Sequence, residues 1–232
     1  MLKNQYGIKM SLDVTGGDEF QYYTIERTIQ GCIIGDKKVG KTTIIRRLSC
    51  LMNTLSGDIR DDSINKISGI YSYQELSIGI RLFDYPRLGA LDSEEIFQLL
   101  TDMQGVVFVC DINDKESIAI AAKGAEYIRT KRPDLVILLA FNKDDGDYDR
   151  LVPTNVELQA VAGRSGSICL RCSAKENYNM EDLLFNFVDN IVNPNQQYMK
   201  FCLAKSISLT KLNTGEPQKN NTQGDKKGCS IM

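Results

Sequence analysis

Short apolar segments alternate with longer segments of helical periodicity through most of the chain. Apolar or alternating residues predict strands at residues 29–34, 67–76, 78–84, 105–111, 135–141 and 168–172. A hairpin turn is expected near Ser77, between the second and third of these strands. Apolar residues at helical spacing, several behind capping residues, predict helices at residues 43–55, 92–100, 117–131, from 154 onward and 180–192. This alternation predicts an α/β fold with a mostly parallel six-stranded sheet and helices on both faces.

The sequence divides into three parts. Residues 1–20 contain two adjacent glycines and few periodic apolar positions, which indicates a flexible or loosely attached extension. Residues 21–194 carry the alternating pattern and form the predicted domain. Beyond Pro194 the chain is rich in Asn, Gln, Lys, Thr and Gly, which predicts a flexible tail over residues 195–232.

Composition and charge narrow the classes of function. A net charge of −2 argues against a protein that binds nucleic acid through bulk positive charge. The sequence contains no histidine, which excludes His-based zinc sites and Ser-His or Cys-His catalysis. Seven cysteines, several of them within apolar runs, indicate a reducing compartment. No apolar run approaches the roughly 18 residues of a membrane span, and the first residues lack the apolar core of a signal peptide, so we expect a cytoplasmic protein.

Residues 35–42 match the phosphate-loop pattern G-x-x-x-x-G-K-[ST], between a predicted strand and a predicted helix. Glycines let the backbone curl so that successive N–H groups point at phosphate oxygens, and the following helix adds the partial positive charge of its N-terminus. In this pattern Lys41 meets the β- and γ-phosphates, and the Thr42 hydroxyl can coordinate Mg²⁺. The motif therefore predicts a nucleoside triphosphate site.

Polar residues follow three other predicted strands directly. Asp84 ends one of them, the run 142–145 (Asn-Lys-Asp-Asp) follows another, and the run 173–175 (Ser-Ala-Lys) follows a third. Because ligands bind beyond the carboxyl ends of the strands in such sheets, these residues should converge on the phosphate loop. The Asp145 carboxylate can accept two hydrogen bonds from a base edge, a pattern that guanine offers through N1–H and N2–H₂ and adenine lacks. Guanine is therefore the expected base.

Taken together, these motifs resemble those of a small GTPase of the Ras superfamily. The resemblance covers about residues 27–192, and residues 109–117 look most like the Rab branch, with Ras next. It implies the fold of a P-loop NTPase, binding of GTP and GDP, and Mg²⁺ as the metal ion.

The resemblance also implies a role for individual residues. Asn142 would buttress the loops around the nucleotide, and Lys143 would lie along the base. Asp145 would read guanine, and the backbone N–H of Ala174 would meet the carbonyl oxygen of the base. Asp84 would hold Mg²⁺ through a water molecule. The residues expected to contact the nucleotide are Gly35, Asp36, Lys37, Lys38, Val39, Gly40, Lys41, Thr42, Thr43, Asp84, Asn142, Lys143, Asp145, Ser173, Ala174 and Lys175. The expected metal ligands are Thr42, Asp84 and Ser63.

One departure from the family concerns hydrolysis. In the family, the residue corresponding to Asp84 is followed by a small residue, Ala, Gly and usually Gln, where the Gly N–H binds the γ-phosphate and the Gln orients the attacking water. Here Asp84 is followed by Tyr85, Pro86, Arg87 and Leu88. Weak intrinsic hydrolysis is therefore expected. Two readings stay open for Arg87, a charge-stabilising finger in cis and an ordinary surface arginine.

Other departures concern nucleotide binding. Lys37 and Lys38 stand where the family favours small residues, so two long side chains lie near the expected position of the γ-phosphate. For the switch threonine that reaches Mg²⁺ in the family, Ser63 is the best substitute by spacing and Thr54 a weaker one. The stretch between Lys41 and Tyr71 contains no aromatic residue to pack on the guanine ring, so affinity below the family norm is expected.

The last residues suggest a lipid anchor. Cys229-Ser-Ile-Met232 is a C-a-a-X sequence, and Met in the last place favours farnesyl over geranylgeranyl. One prenyl chain beside only Lys226 and Lys227 would give reversible membrane binding. Cys202 lies far upstream of this sequence and is not assigned as a second anchor.

Two classes of function remain open at this point. The first is a GTP/GDP switch with slow hydrolysis that recruits effectors and depends on regulator proteins at the cytosolic face of a membrane, in vesicle traffic or signalling. The second is a prenylated pseudo-GTPase adaptor with little or no hydrolysis. A P-loop ATPase or kinase is disfavoured by Asp145 and by the small size of the chain.

Overall fold

The computed structural model describes residues 8–12, 21–54, 65–85, 97–98, 100–146 and 152–194. Several positions singled out in the sequence lie outside these ranges: Ser63, Pro86, Arg87, Leu88, the tail from residue 195 onward with Cys202 and Cys229, and most of the predicted helix at residues 92–100. The backbone of Thr54 is described, but its side chain is not.

The described residues form nine strands and four helices. The strands are β1 (Ile8–Leu12), β2 (Gln21–Ile25), β3 (Arg27–Gly35), β4 (Asn53–Thr54), β5 (Asn65–Tyr73), β6 (Leu76–Asp84), β7 (Gly105–Asp111), β8 (Val136–Asn142) and β9 (Ile168–Arg171). The helices are α1 (Lys41–Cys50), α2 (Lys115–Lys131), α3 (Asn155–Arg164) and α4 (Met180–Val192). None of these helices is long and apolar enough to cross a membrane.

Among the described residues, the main sheet has seven strands in the order β4-β5-β6-β3-β7-β8-β9. The five strands from β6 to β9 in this order are parallel, whereas β4 and β5 run antiparallel to their neighbours. All six predicted strands are present, and the two-residue strand β4 adds a seventh at the edge. The predicted α/β fold with a mostly parallel sheet is confirmed.

Side chains alternate between the two faces of the central strand β3. Ile29 and Ile33 are buried on one face, where the apolar sides of α1 and α4 cover the sheet. Cys32 and Ile34 are buried on the other face, under α2 and α3. Burying one such side chain contributes roughly 1.5–3 kcal/mol, so both layers stabilise the sheet that positions the loops at its carboxyl edge.

Several predicted boundaries differ from the structure, although the capping box of α3 is present as predicted between Thr154 and Glu157. Helix α1 ends at Cys50, well before residue 55, because the chain then pairs with β5 as β4. The hairpin turn lies at residues 74–75, with Gln74 at a φ of 54°, so the turn predicted near Ser77 is wrong. Ser77 instead lies in β6, opposite Ser72 of β5.

The N-terminal segment contains regular structure that the sequence pattern did not predict. Strand β1 falls within residues 1–20 and pairs antiparallel with β2, with Ile8 opposite Ile25. The two strands form a separate two-stranded sheet. Ile8–Leu12 of the predicted flexible or loosely attached extension are therefore a strand, whose backbone groups pair with those of β2.

A buried polar cluster joins the β5–β6 hairpin to the last helix. The Tyr73 hydroxyl donates to Asp189 Oδ1 at 2.6 Å, and Asn193 Nδ2 donates to both the Tyr73 hydroxyl at 2.8 Å and Asp189 Oδ1 at 3.0 Å. Burial, followed by the hydrogen bond to Asp189, raises the pKa of Tyr73 to about 12, so this hydroxyl keeps its proton in neutral solution. The cluster supplies hydrogen bonds to a carboxylate that is only 5% exposed.

We predict that Tyr73→Phe lowers the free energy of unfolding by about 1–3 kcal/mol, because buried Asp189 loses a hydroxyl donor while the aromatic ring is retained. Tyr71→Phe is the matched control, since Tyr71 on the same strand is only partly buried. Urea-induced unfolding measures both changes. Equal unfolding midpoints for the two variants would contradict a stabilising role of the cluster.

Candidate functional site

Two glycines shape the loop between β3 and α1. Gly40 precedes the helix with a φ of 98°, and a Cβ atom there would lie 2.3 Å from Asn142 Nδ2. A Cβ atom on Gly35, the last residue of β3, would lie 2.3 Å from the carbonyl oxygen of Val109. Both distances are too short for any side chain, so the loop can follow this path only with glycine at both positions. This close-packed cradle suits a ligand that is bound by backbone N–H groups.

Between the two glycines the loop presents charged side chains. Lys37 and Lys38 are exposed, and Lys38 takes a left-handed φ of 62°. Asp36 accepts a hydrogen bond from the Lys37 backbone N–H at 2.7 Å, which fixes the first turn of the loop. Val39 is 2% exposed and anchors the loop in the core.

The Lys41 ammonium group folds back over this loop. Its Nζ donates to the carbonyl oxygens of Gly35 at 3.1 Å and Asp36 at 2.8 Å. Burial lowers the pKa of Lys41, and the negative charges of Asp84 and Asp36 oppose that shift. The charged group is therefore held at the loop, where it can meet an anion.

Thr42 and Asp84 bring two oxygen ligands together. The Thr42 hydroxyl donates to Asp84 Oδ2 at 3.1 Å, and Asp84 is 8% exposed at the end of β6. Parallel pairing places Asp84 level with Ile33, near the end of β3. A hydroxyl and a carboxylate fit Mg²⁺, which prefers oxygen ligands and completes its octahedron with water and substrate phosphates. Thr43 follows as an exposed residue in the first turn of α1.

Asn142, the last residue of β8, links two loops. Its Nδ2 donates to the carbonyl oxygen of Val39 at 2.8 Å, and its Oδ1 accepts from the backbone N–H of Ala174 at 3.0 Å. Asn142 is 2% exposed, so the amide is buried and uses both of its ends. The phosphate loop and the loop after β9 are thereby held at a fixed separation.

The Ala174 amide differs from the expectation drawn from the family. The resemblance places this N–H on the carbonyl oxygen of the base, whereas in the structure it donates to Asn142. A buried amide needs an acceptor within the protein, and Asn142 supplies it. A bond from this N–H to the base therefore requires one donor to be shared between two acceptors.

The turn after β8 is fixed by different partners for each side chain. Lys143, at a φ of 66°, donates from Nζ to Asp111 Oδ2 at 2.8 Å. Asp144 accepts two hydrogen bonds from Arg171, each at 2.8 Å, and this partner raises the pKa of Arg171. These contacts hold the side chains of Lys143 and Asp144 in fixed orientations, which helps to fix the backbone of the turn.

Asp145 is the more exposed of the two adjacent carboxylates at residues 144 and 145. Its Oδ1 accepts a hydrogen bond from the Ser173 hydroxyl, and its Oδ2 lies 3.8 Å from Lys175 Nζ. The side chain is 23% exposed, compared with 7% for Asp144. Because both Asp144 oxygens accept from Arg171, Asp145 is the better placed of the two to accept hydrogen bonds from an outside ligand.

One contact at this site was not anticipated from the sequence. Arg47, on α1, donates from Nε to the carbonyl oxygen of Ala174 at 2.8 Å and from Nη2 to that of Lys175 at 2.9 Å. It lies outside the phosphate-loop motif, and its acceptors are backbone atoms that any residue would offer. The sequence therefore held no signal for this interaction.

All predicted site residues within the described ranges gather at the carboxyl edge of the sheet, on the loop before α1 and after β6, β8 and β9. The structure gives no position for Ser63 or Arg87, whose roles remain predictions. Contacts to nucleotide and metal also remain predictions. The arrangement can hold a polyphosphate at the glycine-rich loop and a base beside Asp145.

Comparisons with known proteins agree with this arrangement. A family model described as Ras family matches residues 30–193. The chain is 28% identical over 180 residues to GTPase Era of Lactobacillus delbrueckii subsp. bulgaricus, a match that covers 72% of this chain and 55% of that protein. It is 23% identical over 176 residues to Ras-related protein Rab-12 of Mus musculus, with 71% of this chain and 67% of that protein covered. The chain thus spans about half the length of the Era proteins it matches.

We predict that Gly40→Ala weakens nucleotide binding about tenfold or more, because the new Cβ collides with Asn142 Nδ2 and the left-handed φ is strained. Gly163→Ala is the matched control, since a Cβ there meets nothing within 4 Å and a helical glycine is replaced by a better helix former. Titration with a fluorescent guanine nucleotide measures both variants, and thermal unfolding confirms that each is folded. Unchanged affinity in Gly40→Ala would refute the assignment of this loop.

Proposed function

The chain belongs to the Ras family of small GTPases, and on this basis we propose that it is a guanine-nucleotide switch with weak intrinsic GTP hydrolysis, tethered reversibly to a membrane. The main structural support for nucleotide binding is the Asn142 side chain, which joins the phosphate loop to the loop after β9. Through it, the proposed phosphate site and the proposed base site become one binding site.

In the proposed complex, the loop from Gly35 to Gly40 and the ammonium of Lys41 bind the phosphates. Thr42 and Asp84 hold Mg²⁺, which neutralises phosphate charge when bound. The support for this assignment is their 3.1 Å contact and their position at the first turn of α1 and the end of β6.

Asp145 is proposed to select guanine. A carboxylate can accept from both N1–H and N2–H₂ of guanine, whereas adenine would leave it unpaired, and an unpaired carboxylate costs binding energy. Ser173 and Lys175 hold this carboxylate in place: the Ser173 hydroxyl donates to Asp145 Oδ1, and Lys175 Nζ lies 3.8 Å from Oδ2.

Weak hydrolysis is proposed from the residues that follow Asp84. Tyr85 stands where the family has a small residue, and its N–H donates to the carbonyl oxygen of Ile33 at 3.1 Å. Its ring packs beside that of Phe83, with 6.2 Å between the centroids. Tyr85 is thus held by a hydrogen bond and aromatic packing, and in the sequence Arg87 and Leu88 follow in place of Gly and Gln. Without the glutamine, this stretch lacks the side chain that orients the attacking water.

The test is to identify the nucleotide released from the purified protein and then to follow single-turnover hydrolysis of loaded GTP with Mg²⁺. We expect bound guanine nucleotide and a rate well below that of ordinary family members. The double variant Arg87→Gly/Leu88→Gln should hydrolyse GTP about tenfold faster or more, because it restores the family's two catalytic positions.

The control for this test is Arg87→Ala/Leu88→Ala, which removes the same side chains without restoring the family residues. It should hydrolyse GTP no faster than the wild type. A lower rate in this control would assign Arg87 a charge-stabilising role. Hydrolysis by the wild-type protein at the ordinary family rate would contradict the proposal of weak hydrolysis.

A second candidate, the pseudo-GTPase adaptor, is favoured by the same four residues after Asp84. The two candidates differ in nucleotide content and turnover. Guanine nucleotide that is bound and slowly hydrolysed supports the switch, whereas purified protein without bound guanine nucleotide supports the adaptor. In either case we propose effector and regulator proteins as partners, in vesicle traffic or signalling, from the Rab-like residues 109–117.

Membrane tethering is proposed from the C-a-a-X sequence at Cys229, and it requires Met232 to be the native C-terminus. We predict that mass spectrometry of protein from its native source finds a prenyl group on Cys229 and no residues beyond it. Cys229→Ser should remain unmodified and shift from the membrane to the soluble fraction. An intact, unmodified Cys229-to-Met232 end on the native protein would contradict this prediction.

A further inference from the structure

Arg47, on α1, forms hydrogen bonds to the loop that follows β9. Its guanidinium donates to two consecutive carbonyl oxygens, those of Ala174 and Lys175, at 2.8 and 2.9 Å. Donation from a charged group makes both hydrogen bonds stronger than ordinary ones, and the planar fork of Arg matches two adjacent acceptors. The contact joins parts of the chain that are 127 and 128 residues apart.

The helix that carries Arg47 is a rigid support. Ile44, Ile45 and Leu48 of α1 are buried against the sheet. Its first turn carries Lys41 and Thr42, which the proposed function places at the phosphates and Mg²⁺. A displacement of this helix would therefore act on both the phosphate site and the loop that Arg47 holds.

The two bonds fix the orientation of peptide groups in that loop. Each peptide unit is planar and trans, so the carbonyl oxygen of one residue and the N–H of the next point in opposite directions. By holding the Ala174 carbonyl, Arg47 directs the N–H of Lys175 away from α1. By holding the Lys175 carbonyl, it orients the N–H of Glu176, which donates to the Ser173 hydroxyl at 3.0 Å.

Both backbone polar groups of Ala174 therefore have hydrogen-bond partners. Asn142 accepts from its N–H, and Arg47 donates to its carbonyl oxygen. The Ser173 hydroxyl in turn donates to Asp145, the residue proposed to read the base. Arg47 thus stabilises the backbone of the loop without itself being part of the proposed guanine contact.

We propose that Arg47 is a positioning residue for guanine recognition: by holding the Ala174 carbonyl, it orients the backbone N–H of Lys175 toward the carbonyl oxygen of the base. This inference rests on the proposed function, because it assumes that a guanine nucleotide occupies the site. It makes recognition of the 6-oxo group depend on α1, the same helix that begins at the phosphate loop.

The test compares Arg47→Ala with Arg46→Ala, which removes the same charge from an exposed position on the same helix. Each protein is titrated, with Mg²⁺, with GDP and with 6-thioguanosine diphosphate, which keeps N1–H and N2–H₂ but carries sulfur, a weak hydrogen-bond acceptor, in place of the 6-oxo oxygen. We expect Arg47→Ala to bind GDP about tenfold more weakly through faster dissociation, while binding of the analogue changes little. Discrimination between the two nucleotides should therefore fall, and Arg46→Ala should behave as wild type.

Thermal unfolding shows whether Arg47→Ala is folded. If it is unstable, Arg47→Lys takes its place in the comparison. Lysine retains the charge and one of the two hydrogen bonds, so intermediate discrimination is expected. A loss of affinity that is equal for GDP and the analogue, or GDP dissociation that is the same in Arg47→Ala and Arg46→Ala, would overturn the inference alone. Wild-type protein that binds no guanine nucleotide would overturn the proposed function and this inference with it.

Discussion

A buried side-chain amide must find partners for its N–H groups and its oxygen inside the protein, since leaving either unpaired away from water is costly. Asn142 satisfies this constraint with the carbonyl oxygen of Val39 on one side and the N–H of Ala174 on the other. These partners belong to loops from the two ends of the domain sequence. The geometry of the whole site follows from this one pair of bonds, because neither loop can move without breaking one of them.

The parallel sheet makes such a link possible. Strands β3, β6, β8 and β9 all end at the same edge, so residues far apart in sequence arrive within hydrogen-bonding distance there. The two apolar layers on either face hold the strands in register and leave the edge free to carry polar chemistry. Arg47 adds a second link from α1, so the loop after β9 is supported from a strand end and from a helix.

Much of this site could be predicted because its residues are contiguous in sequence. The runs 35–42, 142–145 and 173–175 each contain several polar or glycine residues at strand ends, and such local patterns carry their own signal. Arg47 could not be predicted, because its acceptors are backbone carbonyls far along the chain. The end of α1 was missed because the apolar spacing continues into residues 51–55, where pairing of Asn53 and Thr54 with β5 takes over. The hairpin turn was missed because Gln74 adopts a left-handed φ that is more typical of Gly or Asn.

The buried cluster of Tyr73, Asp189 and Asn193 also affects how the end of α4 opens. Asn193 directly follows α4 and stands two residues before the tail begins. Fraying at the end of α4 therefore costs more than at a helix end bonded only to water, because it must also break the hydrogen bonds from the Asn193 side chain to Tyr73 and Asp189. The last turn of the helix is thus coupled to the β5–β6 hairpin, and the two should open together in hydrogen exchange.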